Sequence, residues 1–104
     1  MSYEQNNLMV NEKLQRLELE IEGTTAFIQY KQLAEKLILI HTEVPAELEG
    51  KGVGSAIVLK ALQYAKDNQY TIVPICPFVQ SYLKRHPEWS AIIAPDAARF
   101  LHQL

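Results

Sequence analysis

Gly50, Gly52 and Gly54, three of the four glycines in the chain, stand at alternate positions in EGKGVGS, residues 49–55. On one side lies the apolar run LILI, residues 37–40, and on the other SAIVLKALQYAKDN, whose apolar residues recur at helical spacing. Glycine lacks a Cβ, so such a stretch turns tightly and lets a ligand approach the backbone closely. A helix that opens directly after the turn points unsatisfied N–H groups and the positive end of its dipole into the loop. That setting favours a phosphate, and Lys51 adds a cation. The competing reading is a glycine-rich turn that only joins strand to helix.

The rest of the chain gives this unit its context. From Val10 to Glu22 apolar and polar residues alternate, with Leu17, Leu19 and Ile21 on one face, which predicts one half-buried strand. Gly23 and Thr24 mark a turn, TAFIQYKQL a second strand, and Ala34 to Lys36 a short connection. LILIHTEV, residues 37–44, begins apolar on both faces, as in a strand covered on both sides, and Pro45 ends it. After the glycine loop the helix runs to about Asn68. TIVPIC, residues 71–76, is a short strand limited by Pro77, and FVQSYLKRH supplies one or two helical turns stopped before Pro87. Residues 1–9 are polar and expected to be frayed. A further helix is expected from about Pro95. The order predicts an α+β domain, a mainly antiparallel sheet continuing into a parallel β-α-β crossover.

At 104 residues the chain suits one domain. Apolar residues make up 48% and charged residues 21%, which excludes wholesale disorder, and a net charge of −2 gives no global attraction for nucleic acid or anionic membrane. Trp89, Tyr82 and Phe78 lack the basic stripe that a base-stacking surface needs. A single cysteine, Cys76, rules out an intramolecular disulfide and suits a reducing compartment. The N-terminus shows no secretory pattern and no apolar run is long enough to span a membrane, so a cytoplasmic domain is expected. No His and Cys have metal-ligand spacing, so no metal is expected.

Two phosphate-loop patterns fail on this chain. A nucleotide-triphosphate loop needs Ser or Thr directly after Gly-Lys and a glycine at the position of Pro45. A dinucleotide fingerprint wants its third glycine where Ser55 stands. What remains is that EGKGVG, between an apolar strand and an amphipathic helix, resembles the acetyl-CoA signature of the GNAT acetyltransferase superfamily, [Q/R]-x-x-G-x-[G/A]. Gly52 and Gly54 take the small positions, and Glu49 departs from the usual Gln or Arg. HTEVPAELEGKGVGSAIV, then IVPICPF, then SYLKRHPEW resemble the small single-domain members described as predicted N-acetyltransferases. The resemblance covers residues from about 10 to 89 and leaves 90–104 outside as a C-terminal extension.

The resemblance implies a compact acyl-CoA N-acyltransferase fold whose two parallel strands splay to admit the pantetheine arm of acetyl-CoA. Here those strands end at Glu43-Val44 and at Cys76, and the diphosphate is expected on Gly50, Lys51, Gly52, Val53, Gly54 and Ser55. Pro45 and Pro74 each remove a backbone donor near the place where pairing must lapse, or simply end their strands. Tyr82 is the candidate acid for the leaving thiolate. His41 and Glu43, two apart on a strand, face the same way and are candidate bases. Cys76 is a candidate nucleophile through an acetyl-cysteine, or a small buried apolar residue. Arg85, with Lys84, is a candidate partner of CoA phosphates. Expected partners are acetyl-CoA and an amine, small-molecule or protein-borne, with the chain a monomer or homodimer. A non-catalytic CoA-binding module is the alternative.

Overall fold

The structure, a computed structural model, describes residues 3–97. Five strands form one sheet in chain order: β1 Met9–Asn11, β2 Arg16–Ile21, β3 Thr24–Leu33, β4 Lys36–Glu43 and β5 Thr71–Pro74. The first four pair antiparallel and β4 pairs β5 in parallel. Helix α1 (Val53–Asp67) makes the crossover between the parallel strands, and α2 (Pro77–Arg85) follows β5. The architecture is the expected α+β arrangement.

Alternation explains which face is covered. Leu17, Leu19, Ile21, Ala26, Ile28, Tyr30, Leu37, Leu39 and Ile72 are buried on one side of the sheet. They share one core with Ile57, Val58, Ala61, Leu62 and Ala65 of α1 and with Val79 and Leu83 of α2. On the other side Arg16, Glu18, Phe27, Gln29 and Lys31 remain partly or fully exposed. Such a sheet has one dry face and one wet face.

The single strand expected from Val10 to Glu22 is two strands. Residues 12–15 form a turn in which Gln15 has φ 56°, and β1 folds back on β2 with Val10 opposite Leu17. The turn is fastened from β3: Tyr30 N–H donates to the Gln15 carbonyl, and the Gln29 side-chain amide donates to the Leu14 and Gln15 carbonyls. Local alternation cannot show a turn whose partners lie fifteen residues on.

The segment expected to be frayed carries Tyr3, which is buried, and Asn6, whose side chain donates to the Glu20 carbonyl at 3.2 Å. After α2 a 3-10 segment, Pro87–Ile92, leads to Ile93, which bridges Ile72 on the outer edge of β5. Of the helix expected from about Pro95, residues 95–97 form one 3-10 turn, and the remainder lies outside the described residues.

Candidate functional site

A bulge divides β4. Gln29 pairs with His41, but its neighbour Tyr30 pairs with Leu39, so Ile40 is an extra residue with no partner on β3. A bulge bends its strand and increases the local twist. The parallel ladder with β5 stops at the same point: Lys36 to Leu39 pair with Thr71 to Pro74. Its last bonds run from the N–H groups of Ile75 and Cys76, both to the Leu39 carbonyl, at 3.0 and 2.9 Å. Beyond Leu39, β4 keeps β3 on one side and, among the described residues, has no strand on the other. The ladder between the parallel strands therefore ends level with the bulge. Pro74 sits inside the paired stretch, at its last register position.

The glycine loop lies between β4 and α1. Gly50 and Gly52 have φ of 76° and 75°, the left-handed region that L side chains disfavour. Gly52 caps α1, and the helix's first backbone bond is Ala56 N–H to the Gly52 carbonyl at 3.1 Å. Among the described residues nothing accepts from the backbone N–H groups of residues 50–55. These N–H groups lie at or just before the positive end of a fifteen-residue helix. Gly54 has a different job from its neighbours. A Cβ there would come within 2.6 Å of Phe78 Cζ, so its bare Cα admits the Phe78 ring, which is half-exposed at the start of α2.

His41 and Glu43 meet on one face of β4, and Cys76 meets Thr42, which the sequence did not single out, on the other. His41 lies opposite Gln29 and Glu43 opposite Phe27, which puts both on the wet face. Their side chains meet at 3.0 Å (Nε2 to Oε1), each more than half exposed. Thr42, between them, lies opposite buried Ile28 and so faces the core, where its Oγ1 is 3.3 Å from the Sγ of Cys76. Cys76 is buried. The Thr42 hydroxyl and the Cys76 thiol thus lie on the core side of the end of β4, and the imidazole–carboxylate pair lies on its outer side.

Tyr82 is buried on α2, and its ring stacks on His86 at 4.2 Å. Burial, reinforced by the Glu88 charge and opposed by Arg85, pushes its hydroxyl above the ordinary value of 10.0. The hydroxyl is therefore a proton donor across the neutral range. Tyr82 and His86 line a cleft of about 580 Å³ between α1 and α2, together with Gly52, Ser55, Ala56, Leu59, Lys60, Gln63 and, from the N-terminus, Tyr3 and Glu4. Lys51 and Arg85 are exposed, and neither lines the cleft.

A family model described as GCN5-related N-acetyl-transferase matches residues 16–92, from the start of β2 through the loop and both helices. The chain belongs to the GCN5-related N-acetyltransferase family. Membership supports an acetyltransferase-like function in general. Within this family member, sequence reasoning missed Tyr3, Lys60 and His86 as cleft residues, and Thr42 as the neighbour of Cys76. Lys60 reads as part of the solvated side of α1, and His86 as the closing residue of α2. Only Thr42 had a signal, its place between His41 and Glu43 on a strand.

No helix among the described residues is long and apolar enough to cross a membrane, and no group of three His, Cys, Asp or Glu among them is placed to hold a metal.

Proposed function

We propose that the chain is an acetyl-CoA-dependent N-acetyltransferase acting on a small-molecule or protein amine. One observation carries the reading: six backbone N–H groups without acceptors among the described residues, at residues 50–55, follow the stretch of β4 that lies beyond its ladder with β5. The loop offers donors to a diphosphate and the bare strand edge offers backbone groups to a pantetheine arm, which would pair there like an added strand.

In this reading Gly50, Lys51, Gly52, Val53, Gly54 and Ser55 hold the diphosphate, and Val44 flanks the arm where β4 ends. Arg85 is an outlying cation for the nucleotide phosphates. The thioester carbonyl lies near Thr42 and Cys76. Glu43, with His41 hydrogen-bonded to it, takes the proton from the attacking amine on the wet side of the gap. Collapse of the tetrahedral adduct breaks the carbon–sulfur bond, and Tyr82 protonates the departing thiolate. Direct attack by the amine needs no covalent step at Cys76, whose buried thiol serves as a wall.

The test is calorimetric titration with CoA, followed by incubation with acetyl-CoA and a panel of amines while free thiol is measured. Binding together with amine-dependent thiol release is the expected result. Binding without release across the panel leaves a CoA-binding module, and absence of binding overturns the reading.

A further inference from the structure

We propose that Tyr3 is a positioning residue that holds the glycine loop in its anion-accepting form; the inference rests on the CoA reading above. Tyr3 is buried, lines the α1–α2 cleft, and donates its hydroxyl to the Lys51 carbonyl at 2.7 Å, across 48 residues of sequence. A short turn fastens it, with Asn6 N–H donating to the Tyr3 carbonyl at 3.1 Å, and Asn6 in turn is tied to Glu20.

Lys51 is the residue whose carbonyl matters most here. In a helix extended by one more residue it would accept from Ser55 N–H, four positions on. That extension requires Gly52 to leave its left-handed conformation for the helical one. Glycine occupies both at similar cost, so residue 52 itself does not decide between them. The Tyr3 hydroxyl decides. By engaging the Lys51 carbonyl it turns that peptide out of the helical direction and keeps Ser55 N–H free. Because a trans peptide sets C=O and N–H on opposite sides, it also fixes Gly52 N–H on the side away from Tyr3. Two of the six donors thus depend on one phenol at the other end of the chain.

Tyr3→Phe keeps the buried ring and removes the bond. Gly52→Ala is the independent probe: an added Cβ meets nothing within 4 Å, so the substitution acts through backbone conformation alone, favouring the helical form. Amide resonances and hydrogen exchange are followed by NMR in wild type and both variants without ligand, then during titration with CoA and with pantetheine, which lacks the diphosphate. In both variants the Gly52 and Ser55 amides shift or broaden and Ser55 gains protection. CoA binding weakens about three- to tenfold in Tyr3→Phe and roughly tenfold in Gly52→Ala, while pantetheine binding stays within about twofold of wild type. Unchanged Gly52 and Ser55 amides in Tyr3→Phe overturn the inference, whether or not CoA binds. Equal losses for CoA and pantetheine overturn it as well, since they mark a general loss of structure. A wild-type protein that binds no CoA removes the proposed function instead, and the ligand-free amides still decide whether Tyr3 holds the loop.

Discussion

The two halves of β4 make opposite use of one strand. From Lys36 to Leu39 it is paired on both edges, and Leu37 and Leu39 are fully buried. From His41 to Glu43 it is paired, among the described residues, on the β3 edge only, and its side chains turn polar: His41 and Glu43 stand in solvent, with Thr42 against a buried thiol. The one-residue bulge at Ile40 stands between the halves, level with the end of β5. The first half supplies rigidity, and the second exposes backbone that a rigid neighbour holds in place. A site that must offer unpaired backbone to a ligand is best built as the continuation of a strand that is fully paired a few residues earlier.

The largest effect expected from this contrast is on stability. Leu39→Ala removes a fully buried side chain opposite Tyr30 and should cost about 2–5 kcal/mol in urea unfolding. The matching change in the other half, Glu43→Gln, affects an exposed carboxylate and should move stability by less than about 0.5 kcal/mol. It should nevertheless slow acetyl transfer about a hundredfold if Glu43 is the base. Comparable stability losses in the two variants would dissolve the distinction between the halves.

Deleting Ile40 attacks the boundary itself. The alternation on either side survives, because Leu39 already faces the core and His41 the wet face. The bend is lost, β4 straightens, and its ladder with β5 can run on past Leu39. CoA affinity should fall by roughly tenfold or more while the protein stays folded with a similar unfolding midpoint. Undiminished CoA binding by a folded deletion variant would show that the bulge is not what ends the ladder.

Much of this was legible in the chain, for reasons that also explain what was not. Leu17, Leu19 and Ile21 announce a strand, and SAIVLKALQYAKDN announces α1, because a repeating face is a local property of sequence. The glycine loop was visible because positive φ restricts residue type, at Gly50 and Gly52. The third glycine looked the same and is not: Gly54 is small for Phe78, a contact made across 24 positions of chain that spacing cannot reveal. The bulge at Ile40 was hidden inside an apolar run that looks uniform in sequence, so Pro45 and Pro74 carried the expected splay instead. Tyr3 was hidden by its surroundings, since one aromatic in a polar terminus gives no period. His41 and Glu43 share a face as expected, while Cys76 and Tyr82 come from elements across the strand from them. Sequence gives the sides of a strand but not what the next element brings to each.

The smallest effect is one of pH, and it tests whether the two halves can be addressed separately. Burial raises the hydroxyl of Tyr30, aided by the charges of Glu12 and Tyr70, and burial raises that of Tyr82, aided by Glu88. Tyr30 pairs with Leu39 in the rigid half, and Tyr82 lines the cleft. In each case the unfolded chain ionises first, near 10.0, and the folded chain later. The stabilising contribution is therefore complete below pH 10 and is lost as pH rises through the folded value. Stability from urea titrations should be level between pH 7 and 9 on account of these groups and decline above 10. Tyr30→Phe and Tyr82→Phe should each flatten part of that decline, but only Tyr82→Phe should also lower acetyl transfer at pH 8, where the wild-type hydroxyl is fully protonated. If Tyr30→Phe lowered transfer as much as Tyr82→Phe did, the proton donor would have no special place in the cleft, and the division of labour along β4 would not extend to the helix that faces it.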